Sequence, residues 1–143
     1  MPGTFVAESA ITIDAPPARV WDVITDPDAV KEFMFGADLQ TDWTVGSPIL
    51  WRGEWEGKPY EDKGQILEVE PGRKLVHTHF SPLAGQDDKP ENYHTLTWTL
   101  EGQSGATRLT LAQDNNASEE VAGHSKGMWD MLVADVKKIA ERS

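Results

Sequence analysis

Apolar residues alternate at the start of the chain, take a helical step, return to alternation, and end in a long helical step. Phe5, Ala7, Ser9, Ile11 and Ile13 fall on one side of the opening stretch, which predicts a first strand over residues 5–13. Asp14-Ala15-Pro16-Pro17 then starts a short helix, with Asp14 or Ala15 near the cap and prolines where a missing N–H costs nothing. Val20, Trp21, Val23 and Ile24 give that helix its apolar face. Asp26-Pro27 repeats the signal, Asp26 as N-cap and Pro27 as first helical residue, and Ala29, Val30, Phe33 and Met34 follow at helical spacing. Pro27 would break a continuous helix, so two short ones are predicted.

From residue 37 to 115 the period is two. Residues 38–43 predict a weak strand, ended by Val45-Gly46. Ile49, Trp51 and Trp55 share one face of the next strand, with Gly53 between the tryptophans, and Leu50, Arg52 and Glu54 share the other. Turns at Glu56-Gly57-Lys58-Pro59 and Glu70-Pro71-Gly72-Arg73 bound a strand over residues 60–69. In the next, residues 75–80, Leu75, His77 and His79 lie opposite Val76, Thr78 and Phe80. Polar residues 81–91 with Pro82, Gly85 and Pro90 predict a mobile loop. His94, Leu96, Trp98 and Leu100 then share a face over residues 93–100, a turn covers residues 102–106, and a last strand runs over residues 107–115. Strands joined by turns imply an antiparallel meander.

The end of the chain predicts one long helix capped by Asn116 or Ser118. Glu119 and Glu120 sit at its positive end, and Lys137, Lys138 and Arg142 near its negative end. Val121, Met128, Leu132, Val136 and Ile139 recur at helical steps, flanked by Trp129, Val133 and Ala140. Gly123 and Gly127 cost about 1 kcal/mol each against alanine. They predict either a close approach of the sheet or space left beneath the helix.

The whole is expected to be a single α+β domain over residues 1–143, a curved antiparallel sheet wrapped around a long C-terminal helix. No apolar run reaches the roughly 20 residues of a membrane helix. No export signal opens the chain, so a cytoplasmic location is expected. The chain has no cysteine, which removes disulfides, thiolate nucleophiles and Cys-based metal sites. Its formal net charge of −11 disfavours nucleic acid and anionic membranes as partners.

Several ordered motifs carry a family resemblance. Ile13-Asp14-Ala15-Pro16 with Val20-Trp21 comes first, then Val45-Gly46. Gly64-Gln65-Ile66-Leu67-Glu68-Val69-Glu70-Pro71 with Lys74-Leu75 is the most specific stretch. Gly105-Ala106-Thr107-Arg108-Leu109-Thr110-Leu111 and His124, Trp129, Val133 and Val136-Lys137 complete the series. Together they resemble the START-like (SRPBCC) helix-grip superfamily, and within it the heat shock protein 90 ATPase-activator homologue family. The resemblance implies the helix-grip fold with a pocket under the long helix. Two departures stand out: Met128 separates Gly127 from Trp129, and His77 and His79 occupy positions where the family commonly has aromatics.

Two constellations are candidates for a site. His77, His79 and His94 lie on adjacent strands, with His79 nearly opposite His94 if residues 81–91 close a hairpin. Three neutral imidazoles can bind zinc, but the preferred reading is one or two of them hydrogen-bonding in a polar patch of a pocket wall, with one facing solvent. Of six tryptophans, Trp51, Trp55 and Trp98 are assigned to the concave face and Trp129 to the long helix, and aromatic walls with few polar groups suit a small-molecule pocket. Ordinary core packing is the alternative. Glu54, Glu56, Glu61 and Asp62 read as solvated positions.

The expected function is a non-enzymatic domain binding a small apolar or amphipathic ligand, with no cofactor and no metal. Trp51, Trp55, Trp98, Trp129, Met128 and Leu132 would form its apolar walls. His77, His79, Tyr60 and His94 would orient a polar group, and Phe33, Met34 and residues 81–91 would border the entrance. The alternatives are a co-chaperone-like or stress-response protein-binding module, and a cyclase- or hydrolase-like enzyme using a pocket histidine. A homodimer through an edge strand is a further expectation.

Overall fold

A computed structural model describes residues 5–34, 36–81 and 87–142, and for Trp55 the backbone alone. The chain forms β1 (Phe5–Ile13), α1 (Pro17–Thr25), α2 (Pro27–Phe33), β2 (Asp38–Gln40), β3 (Pro48–Trp55), β4 (Lys58–Glu70), β5 (Lys74–His79), β6 (His94–Gln103), β7 (Ala106–Asn116) and α3 (Glu119–Ala140). The strands make one antiparallel sheet in the order β1-β7-β6-β5-β4-β3-β2. β2 to β7 are a meander, and β1 closes onto β7. This is the expected helix-grip arrangement.

Register makes the inner face continuous, because directly paired residues of antiparallel strands point the same way. One row runs Ala7, Gln113, Leu96, His77, Ile66, and the next runs Ser9, Leu111, Trp98, Leu75, Val69. α3 packs chiefly on β1, while α2 packs on β2 and touches α3. Over β3 and β5 the long helix reaches the concave face through the Trp129 side chain. Phe33 of α2 reaches Trp98 there, at a ring separation of 6.3 Å.

The starts of α2 and α3 follow capping chemistry. Asp26 accepts a hydrogen bond from Asp28 N–H ahead of Pro27, and Ser118, not Asn116, accepts one from Val121 N–H. Ser118→Ala is expected to lower stability by about 1 kcal/mol, read from the urea midpoint, with faster amide exchange confined to the first turn of α3. At the other end, the Arg19 guanidinium donates to the carbonyls of Ile139 and Ala140, placing a cation on the negative end of the dipole.

Three expectations about local structure are corrected. The buried stripe of α3 is Ala122, Trp129, Leu132, Val133, Val136, Ile139 and Ala140; Val121 and Met128 are exposed. Gly123 and Gly127 face outward, and a Cβ on either would touch nothing, so they mark no space beneath the helix. β2 stops at Gln40 and does not continue to Trp43, whose φ of 59° lies in the left-handed region. A bulky residue held there carries strain of roughly 1–3 kcal/mol. In exchange, the Trp43 side chain packs against the core. In the 81–91 segment, residues 82–86 lie outside the described residues, and Pro90–Asn92 form a single 3₁₀ turn tied to β7 through the Asn115 side-chain amide. Among the described residues, no helix is long and apolar enough to cross a membrane.

Candidate functional site

Alternation on β5 sends His77 and His79 to the inner face, and register sets His77 beside Leu96 and His79 beside His94. Their surroundings give them different roles. Trp98 Nε1–H donates to His77 Nε2 at 3.0 Å. Indole nitrogen can only donate, so His77 Nε2 is the acceptor and its proton sits on Nδ1, which donates to the Thr78 carbonyl at 3.0 Å. Both ring nitrogens are committed, and the residue is 3% exposed. Burial drives its pKa down to about 4, with a smaller push from His79. His77 is a neutral structural histidine.

His79 is arranged differently. Its Nε2 lies 2.9 Å from Asp62 Oδ2, and both side chains are about 15% exposed, 16% and 15% respectively. A carboxylate can only accept, so Nε2 carries a proton toward Asp62, and in the neutral ring Nδ1 then holds the lone pair. That Nδ1 and the second oxygen of Asp62, Oδ1, are buried and have no hydrogen-bond partner among the described residues. Asp62 reaches His79 because it pairs with Trp51 on β3, two residues before Gly64, where β4 runs close against β5. The Trp51 ring meets His79 edge-on at 5.1 Å and tilts against His77 at 5.3 Å. Asp62 is thus not the solvated carboxylate expected; alternation with Ile66 and Gly64 was the signal that placed it on the inner face.

Two hollows adjoin this pair. The inner one, 30 Å³, is enclosed by Phe33, Met34, Trp43, Trp51, His77, His79, Trp98 and Trp129, with aliphatic residues from α1, α2, β2, β3, β5 and β6. The outer one, 110 Å³, is lined by His79, Phe80, Ser81, Asn92, His94, Gln113, Ser125, Met128 and Trp129. His79 and Trp129 form the wall common to both. Trp129 is fixed by its Nε1–H donating to Gln113 Oε1 at 3.2 Å, and His94 by a 2.8 Å bond from Nδ1 to the Asp114 carbonyl.

Among the sequence candidates, Phe33, Trp51, His77, His79, Trp98 and Trp129 therefore converge on the inner hollow, and His94 and Met128 on the outer. Leu132 is fully buried in the packed core instead. Tyr60 lies over Gly53, where an added Cβ would meet its hydroxyl at 2.7 Å, and it lines neither hollow. The Trp55 side chain lies outside what is described. The tryptophans close around a space far smaller than four such rings suggested, so most of their surface is core packing. Among the described residues no three histidine or acidic side chains converge as a metal would need, and His77 has no free nitrogen to give. Sequence reasoning missed Trp43 in the inner hollow, Phe80, Asn92, Gln113 and Ser125 in the outer, and Asp62 as the partner of His79.

The sequence profile described as Activator of Hsp90 ATPase homolog 1-like protein matches residues 14–141. The chain belongs to this family. Among relatives of this activator-homologue chain, MLP-like protein 43 of Arabidopsis thaliana is 30% identical over 120 residues, covering 79% of this chain and 73% of that protein. The solution structure of ChR145 from Cytophaga hutchinsonii is 42% identical and superposes with a TM-score of 0.86, covering 99% of this chain and 97% of that one. The Aha1 dimer from Colwellia psychrerythraea, 18% identical with a TM-score of 0.74 over 96% of each chain, shares the activator-homologue fold.

Proposed function

We propose that the domain binds a small amphipathic molecule in the outer hollow, its apolar part against Phe80, Met128 and Trp129 and its polar group at His79. The observation behind this reading is His79, which with Trp129 forms the wall common to both hollows and whose buried Nδ1 has no hydrogen-bond partner among the described residues. An unsatisfied buried polar atom costs about 1–3 kcal/mol, and a ligand group at His79 offsets that cost. Size bounds the ligand. One water needs roughly 10–15 Å³, and an apolar cavity of about 150 Å³ holds benzene. The inner hollow of 30 Å³ takes a hydroxyl- or methyl-sized group, and the outer of 110 Å³ takes about one ring.

Thermal unfolding and tryptophan fluorescence, followed across a set of one-ring and two-ring compounds, test the reading. Saturable quenching with a rise in Tm is expected for the one-ring members. A set in which no compound moves either signal would refute it.

A second reading, a protein-binding module or homodimer, has one observation in its favour. Val121, Met128 and Met131 are exposed on one face of α3, separated by seven and three residues. Sedimentation velocity of the native chain and of Met131→Lys separates the two. Self-association that Met131→Lys abolishes supports the second reading. A monomer in both that still binds one-ring compounds supports the first.

A further inference from the structure

We infer that Gln113 is a hydrogen-bond donor of the outer hollow and that the ligand is a small ring compound with a carbonyl oxygen, which accepts from Gln113 Nε2. The inference rests on the binding reading above and adds the group that the ligand must carry. Gln113 lines the outer hollow and is only 6% exposed. Its backbone is fixed in β7 between Ala7 of β1 and Leu96 of β6. Its side chain is fixed by Trp129, whose Nε1–H donates to Oε1 at 3.2 Å. An indole nitrogen can only donate, so the amide cannot sit end for end: Oε1 faces Trp129 and the NH₂ group points away from it. That NH₂ group has no hydrogen-bond partner among the described residues, yet it is not sealed in protein as His79 Nδ1 and Asp62 Oδ1 are. It opens on the hollow that Gln113 lines.

A donor in so buried a place favours one kind of guest. An apolar ring that fills the hollow keeps water from the amide and strands its N–H bonds. A carbonyl oxygen brings two lone pairs, so it restores the bond that water would make. The amide is held in place before the ligand arrives, so little freedom is lost in making that bond. Three other polar side chains of the hollow already donate within the protein: Asn92 Nδ2 to the Asp87 carbonyl at 2.8 Å, His94 Nδ1 to the Asp114 carbonyl at 2.8 Å, and Ser125 Oγ to Asn116 Oδ1 at 3.3 Å.

Calorimetric titration of the full chain with cyclohexanone and methylenecyclohexane tests this, because the two share one shape and differ only in C=O against C=CH₂. Cyclohexanone is expected to bind about tenfold more tightly, the worth of one hydrogen bond to a well-placed donor. In nitrogen-15 spectra the Gln113 side-chain amide should shift with cyclohexanone and move much less with methylenecyclohexane. In Gln113→Met, which keeps the length and removes the amide, the preference should fall to about twofold or less. Equal affinities of the native chain for the two compounds overturn the inference and leave the binding reading standing. A preference for cyclohexanone with the Gln113 amide unmoved puts the donor elsewhere and overturns it too. Binding of neither also overturns the inference; the binding reading falls with it only if the wider set of one-ring compounds is silent as well. The titrations and the spectra need only the native chain, so they decide the matter even if Gln113→Met does not fold.

Discussion

Gly64→Ala is expected to destabilise the protein by about 3–5 kcal/mol, far more than one added methyl usually costs. A Cβ at position 64 would lie 1.8 Å from the Thr78 carbonyl oxygen and 2.6 Å from its carbon. Both contacts are with backbone, so no side chain can rotate away. The backbone cannot move either without losing bonds on each side. Lys63 and Phe80 exchange N–H to carbonyl bonds of 2.9 and 2.7 Å, and Gln65 N–H donates to Thr78 Oγ1 at 2.9 Å. Breaking these three, at about 1 kcal/mol each, sets the lower end of the range. Because Asp62 and His79 flank the contact, the substitution should also part the His79–Asp62 bond. A urea midpoint within error of the native value would show that β4 and β5 are not this closely apposed.

Acid should destabilise the fold through His77. Its folded pKa, about 4, lies below the ordinary 6.5, so the unfolded chain takes up the proton first. Above pH 6.5 the ring is neutral in both states and its contribution is intact. As pH falls from 6.5 to about 4, stability is lost progressively, and below about 4 the contribution is gone. The shift corresponds to about 3 kcal/mol over that window. The proton would have nowhere to go: Nε2 already accepts from Trp98. Urea unfolding at a series of pH values should show this loss, and the His77 ring signals should stay those of a neutral imidazole until near pH 4. Titration of His77 at its ordinary value, with flat stability across the window, would contradict it.

Most of the architecture is legible in the chain because two periods dominate it. The alternation of Leu96, Trp98 and Leu100, or of Leu109 and Leu111, fixes which residues face inward whatever the partner strand is. Pro27 behind Asp26 marks a helix start that needs no tertiary contact. The end of β2 was not legible, because Trp43 leaves the alternation for a left-handed backbone that only tertiary packing can hold. The stripe of α3 was read one row off: Val121 and Met128 have the right step but lie on the flank once the helix leans toward β1.

The site was half legible for a similar reason. Alternation places His77 and His79 on one face but cannot say that one is saturated and the other is not. That difference comes from the register that sets Trp98 one row from His77, and from the strand contact at Gly64 that brings Asp62 under His79. Asp62 sits between Glu61 and Lys63, and its local sequence resembles an exposed strand. Only its parity with Ile66 marks it as inward.

In their neutral forms the two imidazoles should therefore carry opposite tautomers, and ring nitrogen-15 spectra of histidine-labelled protein, taken where both rings are neutral, read this directly. His77 should show a protonated Nδ1 and a bare Nε2, and His79 a bare Nδ1 and a protonated Nε2. On adding a one-ring compound that raises Tm, the His79 ring signals should shift while both His77 nitrogens stay fixed. Identical tautomers in the two rings, or a titration in which such a compound moves neither His79 nitrogen, would contradict the assignment of the hollow as a ligand site with His79 at its polar end.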